Sequence, residues 1–298
     1  KVSYFSLIKI KENFGMSFWL IVNQVGVLAL FQFGVIILQI YEGLDAVAYL
    51  AISLVIANQI RAIANLLSSL LEPTLIKHVA NNNMNLANSL FEKAVLIISL
   101  CTGMVCGIYI GSVEYILKFW LGSYDPIINV ISIISVIYLP LTLGFSCSWP
   151  LLMAHNKIKI GAIITLISGA IFISTSVILF EYTNMGIYSV LLSTVIVMVL
   201  KNNVLMPMLM KSLDMKIKKG LVNASCGFIY MCITIAITKG VFSLLTTINI
   251  LSVLISISLS VIITTFLLLL AISIHTTVPI SEVYKQPKVS LLAMINRV

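Results

Sequence analysis

Charged side chains are scarce in this chain, only 9% of its 298 residues, and acids are scarcer still, with 10 Asp and Glu against 18 Lys and Arg. A water-soluble domain carries about 25% charged residues, so this composition excludes an ordinary solvated globule. Histidine occurs three times, as His78, His155 and His275, never with a second His or Cys at metal-ligand spacing. No metal centre is expected, and the three read as solvated loop residues. The five cysteines, Cys101, Cys106, Cys147, Cys226 and Cys232, all fall inside apolar runs, with no hydrophilic domain to hold a disulfide framework, and read as packing. No glycine-rich phosphate loop occurs. The longest connection on one side, Ser112 to Pro126, contains Glu114 and Asp125 but no histidine, so a nucleophile, base and orienter cannot be assembled there. The expectation is a protein that is no enzyme and takes no cofactor.

What the chain does have is apolar length. It is 60% hydrophobic with a mean hydropathy of +1.12. A hydrocarbon core about 30 Å thick needs about 20 apolar residues in a helix. Such runs lie at Phe18 to Ile40, Val47 to Leu71, Leu90 to Ile110, Ile127 to Trp149, Ile158 to Phe180, Gly186 to Leu209, Leu221 to Val241 and Ile248 to Ile272. They do not alternate polar and apolar as barrel strands would. The predicted fold class is all-α, a polytopic membrane protein of about eight transmembrane helices.

Fifteen of the 18 basic residues fall on the side holding the N-terminus, two (Lys118 and Lys239) fall on the other, and Arg61 lies between. By the positive-inside rule the N-terminal side is cytoplasmic, and an even number of spans puts the C-terminus there too. Lys201 lies in the inner half of its span and is expected to snorkel outward. The net charge of +8 then reflects topology and contact with anionic membrane lipids, and gives no case for nucleic acid. Trp19, Trp120 and Trp149 fall near span ends, where amphipathic rings settle. Asn223 heads an Asn-x-Ser sequon on the inferred cytoplasmic side, where it would not be glycosylated.

Polar groups inside the spans are therefore the informative residues. Arg61 sits within the second run, where a central arginine costs roughly 2.5 to 3.5 kcal/mol on insertion scales. Asn58, Arg61 and Asn65 recur at i, i+3 and i+7, and Ser68 or Ser69 and then Glu72 continue that face. The first run has a looser counterpart in Gln24, Gln32 and Gln39, with Asn23 beside it and Glu42 at its end. Such amides either bond across helices as packing glue, at under about 2 kcal/mol, or line a polar cavity. A permanent cation needs an anion or water, and the nearest acid on the face of Arg61, Glu72, is three turns away. Pro140, within the fourth run, is a hinge candidate. Pro73, Pro150 and Pro207, at or near run ends, are expected to act as terminators.

Three strings carry a resemblance: Leu71-Glu72-Pro73-Thr74-Leu75, Phe119-Trp120-Leu121-Gly122, and Leu141 to Lys159 with its Ala154-His155-Asn156-Lys157. Over residues 15 to 210 the chain resembles the oligosaccharide and O-antigen flippases of the polysaccharide biosynthesis family, within the multidrug, oligosaccharidyl-lipid and polysaccharide exporter superfamily. The resemblance implies two six-helix bundles, of which 1–210 would be the second, with two additional helices at 211–274 and a cytoplasmic tail at 275–298. The first bundle would then be missing, and the chain an N-terminally truncated fragment. It also implies a function: flipping an undecaprenyl-pyrophosphate-linked oligosaccharide across a bacterial inner membrane by alternating access, for surface polysaccharide such as the O-antigen of lipopolysaccharide. In that setting Gln24, Gln32, Gln39, Asn58 and Asn65 suit sugar hydroxyls, and the fork of Arg61 suits a phosphate or an acidic sugar. Three alternatives remain. A cation-coupled multidrug or metabolite exporter would carry intramembrane acids, whereas the acids here lie at span ends or in loops. A polysaccharide polymerase or acyltransferase would offer a large external loop or an intramembrane catalytic group. A non-transporting remnant would fit the truncation.

Overall fold

The computed structural model describes residues 7–122, 125–244 and 250–276; the expected tail at 275–298 lies outside the described residues from position 277 on. The protein is an all-α polytopic membrane protein, with no strand among the described residues. Among the described residues eight helical spans are long and apolar enough to cross a bilayer: Ser17–Glu42, Leu44–Ala80, Met84–Leu121, Ile127–Ala154, Ile158–Tyr182, Ile187–Lys211, Ile217–Ser243 and Ile250–Ala271. They are the eight expected, but several run further than their apolar cores. The second helix passes through Glu72 and Pro73 to Ala80, so Pro73 does not terminate it. The third begins at Met84 and ends at Leu121, which draws Ser112 and Glu114 out of the expected connection and into the helix. The apolar run marks the part of a helix that lipid requires, while Lys77 and His78 in the last turn suit the partial negative charge of a helix C-terminus and extend it. The turn that follows is built by Asn82, at φ 55°, and by Asn83, whose side chain accepts from the Leu86 amide.

Two spans are broken. The first changes helix at Gln32, between Leu7–Phe31 and Phe33–Glu42. The fourth is divided into Ile127–Ile137, Leu139–Leu143, a 3-10 turn at Gly144–Cys147, and Ser148–Ala154, with Pro140 in the second piece. A proline removes one backbone bond and crowds the preceding turn, which accounts for a discontinuity at this place. Pro150 lies within the last piece and does not end it.

Glycine sets the helix pairing. In the membrane apolar side chains gain little by leaving lipid, so close backbone approach is what joins helices. The third span is the most enclosed, and it packs against the seventh along Gly103, Gly107 and Gly111. A Cβ at Gly107 would overlap the Thr234 side chain and come within 2.8 Å of the Met231 carbonyl oxygen; one on Gly227 of the seventh span would meet the Ser99 carbonyl at 2.5 Å. Thr234 uses the space to donate toward the Gly103 carbonyl at 3.4 Å. The first and fifth spans pair in the same way, with a Cβ at Gly26 meeting the Leu166 amide nitrogen at 2.7 Å and one at Gly169 meeting Ala29 at 2.7 Å. That second pair is tied at both ends, by Lys159 over the Trp19 ring at 5.2 Å and by Tyr41 donating to Glu181 at 2.8 Å while stacking on Phe180.

The turns after the second, fourth and sixth spans and the helix ends beside them hold Lys77, Lys157, Lys159, Lys211, Lys216, Lys218 and Lys219, and define a basic end of the bundle. Here Asn88 of the third span clamps the turn before the seventh, donating to the Asp214 carbonyl at 3.3 Å and accepting from the Lys216 amide at 2.8 Å. His155 is not the solvated loop residue expected. It is half-buried with Nε2 enclosed and unpartnered, because the turn at Asn156 (φ 53°) folds back onto the helix end. Burial pushes its pKa below the usual 6.5, with Lys157 adding to the effect and Asp214 opposing it.

Two outcomes follow from this packing. Replacing Gly107 by Leu overpacks the third–seventh seam and should cost at least roughly 1–3 kcal/mol, whereas Gly240→Ala, where a Cβ meets nothing within 4 Å, should cost nothing; unfolding midpoints in detergent check both. For His155, the unfolded chain binds a proton more readily than the folded one. The stability that its neutral form contributes is therefore full above about pH 6.5 and shrinks as the pH falls below it. His155→Gln should flatten that part of the unfolding midpoint between pH 7.5 and pH 5.

Candidate functional site

Arg61 lies at the middle of the second helix, 17 residues from Leu44 and 19 from Ala80. It does not reach for either surface. Its Nη1 donates to Asn58 Oδ1 at 2.8 Å, one turn back on the same helix, and its Nη2 donates to the hydroxyl of Tyr138 at 2.6 Å. The guanidinium carbon stands 4.7 Å from the centre of the Phe31 ring, at a distance where the ring face attracts a cation. Among the described residues no carboxylate is paired with it. All three partners are neutral, so the charge is solvated by an amide, a phenol and a π face.

The placement of these partners follows from the helix breaks. Phe31 is the last residue of the first helix before Gln32, and Tyr138 joins the first two pieces of the fourth span. The guanidinium therefore sits where two interrupted helices meet an unbroken one. Nearby, Ser132 donates to Ser53 at 3.1 Å and holds the second and fourth spans in register, with both side chains buried. Gly34, just past the first break, lets Phe172 and Val190 close over the site; a Cβ there would lie 3.1 and 2.9 Å from them.

A small cavity opens at this junction, lined by Phe31, Arg61, Ser135, Tyr138, Phe172 and Thr194 among others, from the first, second, fourth, fifth and sixth spans. Its room for water centres is about 20 Å3, enough for one or two waters. In this conformation it can solvate a cation but cannot hold a sugar.

Of the residues expected from sequence, the structure brings Asn58 to Arg61. Asn65, Gln24, Gln32 and Gln39 do not touch the guanidinium and are exposed on the first and second spans. An exposed amide at membrane depth needs water or a protein neighbour, since lipid offers it no partner. Pro140 stands two residues past Tyr138, in the interrupted stretch beside the site. The third helix starts at Met84, so Glu92 lies two turns inside it, with Lys219 at 3.9 Å from one oxygen and the other oxygen buried without a partner.

The residue missed from sequence is Tyr138. A tyrosine in the midst of an aliphatic span must find a partner for its hydroxyl, and that requirement was its signal. Phe31 gave no such sign, being one apolar residue among many. Tyr138→Phe removes the charge-assisted bond but keeps the packing, and should lower stability by about 1.5–3 kcal/mol. In the Arg61→Gln background the same change should cost much less, and a double-mutant cycle on unfolding midpoints measures the difference.

No family model matches the chain, and no solved structure matches it. The chain is similar to a membrane protein of Bacillus subtilis (strain 168) named "Uncharacterized membrane protein EpsK", with 27% identity over 198 residues. That stretch is 66% of this chain and 39% of that protein, so the chain spans about two fifths of the relative's length.

Proposed function

We propose that this membrane protein is part of a transporter that flips a lipid-linked oligosaccharide, carried on undecaprenyl pyrophosphate, across a bacterial cytoplasmic membrane for surface polysaccharide synthesis. The observation that carries the reading is the state of Arg61: a permanent cation halfway along a membrane helix, held among the described residues by neutral groups. Neutral partners offset part of its desolvation and leave its charge available to an anion. A pyrophosphate supplies that anion and can accept two parallel bonds from the guanidinium fork. The exposed Asn58, Asn65, Gln24, Gln32 and Gln39 suit sugar hydroxyls, and the polyprenyl chain needs only lipid.

In this reading the basic end faces the cytoplasm, in keeping with its lysines. A second helical bundle covers the amide-bearing faces of the first two spans, and the longer relative supports such a partner. The transporter alternates between inward and outward openings, with the stretch from Tyr138 through Pro140 as the hinge. The roughly 20 Å3 cavity is the site in its closed form.

Arg61→Gln in the full-length gene should reduce export of surface glycan by about 10- to 100-fold, as loss of a charge-assisted contact of about 1.5–3 kcal/mol implies. Lipid-linked sugar should accumulate on the inner leaflet, and Arg61→Lys should recover part of the loss. Normal export by Arg61→Gln cells would overturn the reading of this site.

A further inference from the structure

The sixth span contains a polar triplet, Lys201-Asn202-Asn203, whose lysine lies 14 residues from Ile187 and ten from Lys211. The helix is not regular there. It widens into a π turn, Lys201–Leu205, in which the Met206 amide donates back to the Lys201 carbonyl. Pro207 gives the reason. Its ring has no N–H for the Asn203 carbonyl and would collide with it in an α-helix, so the wider turn moves that carbonyl aside.

The turn leaves two groups unsatisfied. Among the described residues the Lys201 ammonium has neither an acid nor a hydrogen-bond acceptor, although it lies about 21 Å along the axis from one end of the span and about 15 Å from the other. The residue is half-buried. The side-chain oxygen of Asn203 is buried with no hydrogen-bond partner. A lone cation and an orphan acceptor in one turn complement a ligand that carries both an anion and a hydroxyl.

Their position relates them to Arg61. Thr194 lines the Arg61 cavity, and Lys201 lies seven residues further on. Seven residues are nearly two full turns, so the two share a face about 10 Å apart along the helix. The π turn packs against Leu139–Leu143, the piece of the fourth span that begins directly after Tyr138. The interrupted fourth span thus touches Arg61 through Tyr138 and the π turn through the piece that follows it, nearer the basic end.

The geometry points to a second anion station: Lys201 binds the phosphate and Asn203 accepts from a sugar hydroxyl of the same lipid-linked headgroup, when that headgroup is closer to the basic end than Arg61. This rests on the proposed transport of a phosphate-linked glycan, and deepens it by assigning two successive sites to one anion.

The test uses the full protein in phosphatidylcholine nanodiscs, with farnesyl phosphate, its glucose phosphodiester, and uncharged farnesol as probes. Lys201→Met should weaken both phosphate probes about tenfold, equivalent to about 1.4 kcal/mol, and leave farnesol unchanged, while Lys201→Arg binds as wild type. Asn203→Leu should keep or raise the unfolding midpoint, because it removes an orphan polar group, yet abolish the preference for the glucose-bearing probe. Unchanged phosphate binding in Lys201→Met alongside weakened binding in Arg61→Gln would overturn the second station and leave the first. Unchanged binding in both variants would overturn the proposed function as well. An Asn203→Leu protein that loses stability and keeps the sugar preference would show the asparagine to be structural and overturn its part in the station.

Discussion

A guanidinium in the middle of a bilayer has to be solvated by something, and around Arg61 the described residues do it with neutral groups. Asn58 comes from one turn away on the same helix, Tyr138 from a helix junction, and Phe31 from a helix end. Two interrupted spans converge on one uninterrupted one because the cation requires groups that regular helices do not supply there. An interrupted helix can aim a side chain across the bundle at an angle that a straight one cannot, and it frees backbone for small adjustments. The second helix can stay regular for 37 residues because its neighbours bend to it.

The surroundings divide the bundle into tightly and loosely joined parts. Between the third and seventh spans, and between the first and fifth, backbones approach through glycine with almost no side-chain layer. Around Arg61, by contrast, five spans meet through longer side chains and leave a small cavity. The polar amides of the first two spans add to the contrast, since they present hydrogen-bonding groups on faces that this chain leaves uncovered.

Much of the fold was legible in the sequence because the constraint that made it is one-dimensional. A helix must keep about 20 apolar residues in lipid, and that requirement is written as runs. The ends were less legible, since helices continue past the hydrocarbon wherever capping and solvated lysines allow, as through Pro73 to Ala80. Arg61 and Asn58 were found because charge and spacing are visible in a string. Phe31 was not, because its role arises from where the first helix breaks, and nothing local distinguishes it from the apolar residues beside it. Glycine pairing was equally hidden: Gly103, Gly107 and Gly111 form a stripe that only acquires meaning opposite Thr234 and Thr238.

The two glycine seams also have a mechanical consequence. Sliding between helices normally proceeds by side chains changing rotamer in the layer between them, and a seam in which backbone touches backbone has no such layer. The third and seventh spans must therefore travel as one rod, and so must the first and fifth, whose ends are pinned by Lys159 on Trp19 and by Tyr41 on Glu181. Displacement is left to the spans outside these rods, among them the fourth, which is interrupted, and the sixth, which widens into a π turn.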